Sequence, residues 1–415
     1  MTSSRQRRID ALPEHLRAQL TRRLAGRAES APAADAITHG EHDGPMPLSS
    51  AQQRLWFLSE FTPGGNDYNS GTALRLTGEL RAADLRAAVA VLPRRHESLR
   101  TTFAETDGRP VQIVRPPADL DVPMVDCAPE DLDAVLGTEF ARPFDLRRGP
   151  LFRALLVRLG EREHVLLLSA HHIVVDGWSL RVLTEELFAR YAGADVPAPP
   201  DLRYADYAVW QQNRLAGPGM AEHLAYWRRA LDGAVPLDLP TDRPRPAVRS
   251  AAGSTHELTV PAAVAERLTD LARTNDTTLF TTLTAACEIL LARYSGRRDV
   301  SVGTVSSGRS RPELHRLVGF FVNTVVLRST VDQAMSFTEH LARVDADARE
   351  ALRHDEVPFD RLVELVGAPR DPGRNPLFDV LVTVDSARRG LPAPPGLAVE
   401  EVRLRRWAAN FDLSI

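Results

Sequence analysis

The sequence predicts an α/β fold built as two lobes. Segments with helical spacing alternate with period-2, β-branched segments from Met46 onward. The chain has 415 residues, more than one hydrophobic core usually serves. The Pro-rich stretch "PLDLPTDRPRP" at 236–246 separates two halves of similar pattern.

Taken in order, residues 5–28 read as a short basic amphipathic helix, with Leu16, Leu20 and Leu24 at helical spacing. Residues 29–45, rich in Ala, Pro, Gly and acids, read as a linker. "SAQQRLWFLSEF" at 50–61 and "AADLRAAVAVL" at 82–92 are helical, whereas "ALRLTGEL" at 73–80 and "HVLLLSAHH" at 164–172 are strands. "SLRVLTEELFARYAG" at 179–193 is an amphipathic helix closed by Gly193. In the second half a helix starts near Asp276, with Leu279, Leu283, Cys287 and Leu290 on one face. "DVSVGTVSS" at 299–307 and "FVNTVVLRS" at 321–329 follow as strands. The lobe boundary falls between 213 and 250. The division expected is a leader at 1–45, an N-terminal lobe at 46–215 and a C-terminal lobe at 216–415.

Composition narrows the function classes. The charged fraction of 26% and net charge of −4 are ordinary, and the arginines are scattered among acids, so no nucleic-acid surface is expected. No apolar run approaches the roughly 18 to 20 residues that span a bilayer. Cys127 and Cys287 stand alone and far apart, which fits neither a disulfide framework nor a zinc knuckle. With no secretory leader legible, a reducing, cytoplasmic setting is expected.

The densest chemistry lies in "SAHHIVVDGWS" at 169–179. His171 and His172 sit where a strand leaves the sheet, and neighbouring strand side chains point to opposite faces. Both rings therefore cannot face one cavity, and the i, i+4 spacing of a helical zinc site is absent. One histidine is then structural, and the other is either a satisfied strand-end residue or a catalytic one. Asp176 reads equally as an Asx-turn residue before Gly177 or as a buried carboxylate in need of a cation. Neither G-x-S-x-G nor a glycine-rich phosphate loop occurs.

"HHIVVDG" resembles the H-H-x-x-x-D-G signature of condensation domains of nonribosomal peptide synthetases. "LSSAQQRLWFL" at 48–58, "RRHESLRTTF" at 94–103 and "YADYAVWQQ" at 204–212 are similar to further motifs of that family, in its order. "VGFFVNTVVLR" at 318–328, "HDEVPFDRLVE" at 354–364 and "RDPGRNPLFDVLV" at 370–382 continue the series. "AQQRLWFL" and "DGWS" are similar to the subtype joining an L-configured donor to an L-aminoacyl acceptor; starter domains that take lipid donors resemble it closely.

The resemblance implies two chloramphenicol-acetyltransferase-like lobes forming a V-shaped pseudo-dimer around a central tunnel. It implies catalysis by His172, with Asp176 at the site and the Gly177 N–H as a candidate oxyanion donor. His171 becomes structural, Arg309 the partner of Asp176 with Arg328 as second choice, and Trp178, Ser179 and Asn323 tunnel residues. No cofactor or metal of the protein's own is implied. The substrates ride on 4'-phosphopantetheine arms of upstream donor and downstream acceptor carrier proteins, beside an adenylation domain of the same module. The helix at 5–28 becomes a candidate docking segment. Pro93 falls where the family continues a helix, so a kink or early stop is expected there. The C-terminal lobe reads as truncated.

Overall fold

The computed structural model describes residues 36–40 and 44–415, apart from 63, 248–249, 251, 369–370, 372, 385–392 and 405–408. The helix expected at 5–28 lies outside the described residues. The end of the expected linker does not behave as one: Ile37 is buried among Tyr204, Tyr207, Leu314, Leu317 and Phe321. Gly40 N–H donates to Asp206 Oδ1 at 3.1 Å, which anchors the same segment.

In the first half, β1 (Met46–Pro47) leads into α1 (Ser50–Phe61), which Ser49 and Gln52 close with a reciprocal capping box. Next come β2 (Asn69–Gly78), α2 (Ala82–Ala90) and α3 (Leu92–Arg95). The helix stops at Ala90 and restarts with Pro93 in its first turn, where a missing N–H costs nothing. The elements β3 (Thr101–Thr106), β4 (Arg109–Val114), β5 (Met124–Asp126) and α4 (Leu132–Ala141) follow. The half closes with β6 (Phe152–Gly160), β7 (Glu163–His171) and α5 (Gly177–Tyr191).

Helices α6 (Tyr204–Ala216) and α7 (Met220–Ala230) connect to the second half. There α8 (Ala262–Thr274) and α9 (Leu279–Ser295) precede β8 (Asp299–Ser306), β9 (Asn323–Thr330), α10 (Phe337–Arg353) and α11 (Phe359–Leu365). The strands β10 (Val380–Leu381), β11 (Leu397–Val402) and β12 (Leu413–Ser414) end the described fold. A four-stranded sheet, β12-β10-β8-β9, forms the core of this half.

The strand β7 lies inside the other large sheet, five-stranded and of order β11-β2-β7-β6-β5. Leu166 and Leu168 pack into the cluster holding Trp56 and Leu183, while Val165 and Leu167 pack against Leu132 and Leu136. Both faces are covered, which is why the segment is continuously apolar.

Two features differ from the sequence reading. Strand β11, assigned to the C-terminal half, pairs antiparallel with β2 from Leu397↔Gly78 to Val402↔Ala73 and so belongs to the first sheet. Helix α9 buries Thr281, Thr284, Ala285 and Glu288; of the expected face, Leu279 and Leu290 are exposed while Leu283 and Cys287 are half-buried, Cys287 against the core. Its polar side can be buried because Glu288 accepts from Ser329 Oγ at 2.5 Å and stands 3.3 Å from His340.

Candidate active site

The strand β7 ends at His171, whose N–H donates to the Leu151 carbonyl at 3.0 Å. His171 is buried, with the Tyr68 and Phe144 rings each 6.4 Å away, and its Nδ1 accepts from Ile173 N–H at 3.1 Å. Burial, with His172 adjacent, holds its imidazole down at about 3, so the ring is neutral. It stands in a wall.

His172 begins a short 3-10 turn, and its N–H donates to the Tyr68 carbonyl at 2.8 Å. Its Nδ1 lies 2.7 Å from the Val175 carbonyl. A carbonyl can only accept, so Nδ1 carries the proton and the neutral ring keeps its lone pair on Nε2. The Phe320 ring packs 4.9 Å from the imidazole. His172 lines a cavity of about 230 Å³ together with Tyr68, Phe320, Phe321, Asn323 and Asp355. The two histidines part company because the strand ends between them.

Asp176 is fully buried and caps α5 by accepting from Ser179 N–H at 2.7 Å. Its Oδ1 and Oδ2 stand 3.1 and 3.2 Å from Arg309 Nη2, and Oδ2 also accepts from Phe321 N–H at 3.1 Å. Arg309 Nη1 donates to the Leu314 and Leu317 carbonyls, at 2.5 and 2.6 Å, and its guanidinium lies 4.1 Å from the Phe321 ring centroid. Gly308, at φ 64°, makes the approach possible, since a Cβ there would sit 2.0 Å from the Phe321 carbonyl oxygen. The carboxylate is committed to joining α5 to the β8–β9 connection and does not line the cavity.

The remaining expected site residues divide. Asn323 lines the cavity, but its Nδ2 donates to the Asp355 and Val357 carbonyls and its Oδ1 accepts from Phe359 N–H. It holds the 355–359 segment in place. Ser179 is not a tunnel residue: it is fully buried, accepting from Arg309 Nη2 and Gly319 N–H and donating to the Gly319 carbonyl. Trp178 points outward, 41% exposed, with Nε1 donating to the His315 carbonyl at 2.8 Å. Helical rotation from Asp176 turns Ser179 in and Trp178 out.

Gly177 is exposed and is not among the residues lining the cavity. Arg328 is far from Asp176 in role; it pairs with Asp299 at 2.7 Å and caps the Ala230 and Asp232 carbonyls. Sequence reasoning did not single out Tyr68, Phe320 and Asp355 as wall residues: Tyr68 lies outside every motif, and the motifs holding Phe320 and Asp355 do not say which of their side chains face the cavity.

Among the described residues, no group of three or more His, Cys, Asp or Glu side chains is placed to hold a metal. No helix among them is long and apolar enough to cross a membrane.

Comparison with known proteins bears on this geometry. The family model described as "Condensation domain" matches residues 42–415. The chain is 39% identical over 387 residues to a chondramide synthase of Chondromyces crocatus, covering 90% of this chain and 10% of that protein. It is 40% identical to phosphinothricin tripeptide synthetase PhsC of Streptomyces viridochromogenes over 92% of this chain and 36% of that one. Among solved structures, the X-domain from teicoplanin biosynthesis superposes with a TM-score of 0.80 at 32% identity, over 92% of this chain and 87% of that one. The first condensation domain of the CDA synthetase, at 23% identity and TM-score 0.72, covers 88% of each chain and shares the two-lobed α/β fold.

Proposed function

The chain belongs to the condensation-domain family, and from that premise we propose that it forms an amide bond between two carrier-bound substrates. The observation that carries this reading is His172: Nδ1–H is committed to the Val175 carbonyl, which directs the basic Nε2 lone pair to the remaining ring edge beside the cavity.

The reaction joins an acceptor α-amine to a donor thioester. The amine nitrogen attacks the thioester carbonyl carbon, the C–S bond breaks, and the leaving thiolate takes up a proton. An α-amino group has pKa about 7.7–8.0, so on the order of a tenth to a sixth is neutral near pH 7. A strong base is unnecessary. Holding amine and thioester together supplies up to about 7–11 kcal/mol, and His172 Nε2, by accepting the amine proton, adds about 10²–10⁴-fold. Asp176 acts at one remove: it fixes the N-terminus of α5 and, through Arg309, the loop carrying Phe320 and Phe321.

The substrates in this reading are phosphopantetheine thioesters on an upstream donor and a downstream acceptor carrier, with an adenylation domain in the same synthetase. The chain spans 8% and 5% of the first relatives it matches, which suits one domain of a multidomain assembly. The motif wording "AQQRLWFL" and "DGWS" supports an L-configured donor and an L-aminoacyl acceptor; starter acylation from an acyl carrier or coenzyme A shares that wording and is the alternative. Mass spectrometry of products from defined donor- and acceptor-loaded carriers tests the reading. Wild type should give the amide and His172→Ala should not.

A second reading is recruitment without catalysis. It is favoured by the likeness to the teicoplanin X-domain, one structure of which is a complex with OxyB. Absence of product from every loaded pair would support it.

A further inference from the structure

The cavity wall beside His172 carries Arg54, Arg214, Arg311, Asp355, Glu356 and Asp360. The arginines have carboxylates close by: Arg214 Nε stands 2.9 Å from Glu356, Arg54 is 3.9 Å from Asp360, and Arg311 is 3.5 Å from Glu313. Asp355 differs. Its carboxylate accepts from Ser306 Oγ, and among the described residues no arginine reaches it.

Its position is nonetheless rigid. Asn323, paired with Ser306 across β8 and β9, donates to the Asp355 carbonyl at 2.8 Å and the Val357 carbonyl at 2.7 Å. The side chain thus projects from a segment whose backbone is tied to the sheet. Burial pushes the Asp355 carboxyl up and Glu356 adds to that; the Ser306 hydrogen bond and nearby His223, itself held down by burial, only partly oppose it. A half-buried carboxylate on a cavity wall, short of one cation, is a receptor for one.

We propose that Asp355, held by Ser306, is a specificity-determining residue that receives an ammonium group of the substrate in the cavity beside His172. The ammonium is either the acceptor's α-amino group or a basic side chain. The proposal rests on the amide-forming reading for its substrate class, though not for its test.

The probes are non-hydrolysable pantetheine amides carrying lysyl, norleucyl and hexanoyl groups, titrated calorimetrically into the full chain near pH 7. Lysyl has both cations, norleucyl only the α-ammonium, and hexanoyl neither. Wild type should bind an ammonium-bearing probe about tenfold more tightly than hexanoyl, and Asp355→Asn should erase the difference. Loss confined to lysyl assigns a basic side chain; equal loss for lysyl and norleucyl assigns the α-ammonium. Wild type binding all three alike overturns the proposal without any variant. Asp355→Asn weakening all three alike also overturns it, since the residue would then be structural. Amide formation from loaded carriers is measured in parallel. Failure there sinks the catalytic reading and leaves the binding result to stand or fall alone.

Discussion

Arg309 Nη2 stands 3.1 Å from Asp176 Oδ1, with both side chains wholly sealed from solvent though they lie 133 positions apart in the chain. Neither group can be removed without leaving the other charged and buried. Arg309→Ala and Asp176→Ala should each cost about 3–5 kcal/mol, with the double variant costing less than the sum. Arg328→Ala, breaking the more exposed pair with Asp299, should cost no more than about 1 kcal/mol. Urea unfolding of the four variants reads this directly; equal costs for Arg309→Ala and Arg328→Ala would contradict the assignment.

His172 should separate activity from stability. His172→Ala is expected to lower amide formation by about 10²–10⁴-fold, while the unfolding midpoint moves little. An unchanged rate on aminoacyl carriers would refute a role in proton acceptance.

Acid sensitivity has a named origin. The His171 imidazole, usually near 6.5, is held at about 3 in the folded protein. The unfolded chain therefore takes up a proton in that interval which the folded chain refuses, so stability is lost as pH falls from about 6.5 toward 3. Glu186 acts in the same sense lower down. Burial pushes its carboxyl up, but His96 and Arg95 outweigh it and hold it at about 2, so its contribution fades between 4.5 and 2. His171→Asn should be less stable than wild type at pH 7.5, with a flatter profile between pH 6.5 and 4. Parallel thermal-midpoint curves would count against this account.

Ser179 offers a test of architecture against substrate contact. Ser179→Ala strips a partner from Arg309 and from both backbone groups of Gly319, at a cost of about 1–3 kcal/mol. Because the hydroxyl is buried outside the cavity, KM for a loaded acceptor should stay at the wild-type value at temperatures where the variant remains folded. A raised KM at full stability would return Ser179 to the tunnel wall.

The run from His171 to Gly177 was legible because each step has a local cause: an apolar strand, a turn after it, and an aspartate placed to cap a helix. Pairing of Asp176 with Arg309 followed from the motif order, not from spacing. What local pattern could not supply was rotation. Trp178 and Ser179 are neighbours, yet one faces water and the other the lobe junction, and only the packing of α5 decides which. The face of α9 was misplaced for a similar reason: the buried Glu288 meets Ser329 and His340, both distant in sequence, through its Oε2. Asp355 lies in the motif at 354–364, but its placement on the cavity wall depends on Asn323, which holds its carbonyl from another motif.

The pairing of β11 with β2 bears on how the protein comes into being. Ribosomes add about 5–20 residues each second, so β2 waits on the order of tens of seconds before residues 397–402 emerge. Throughout that interval the nascent first lobe presents a bare strand edge, able to zip onto another chain. The same hazard attends any attempt to express residues 46–215 alone: without its borrowed border strand, that piece should aggregate rather than fold cleanly.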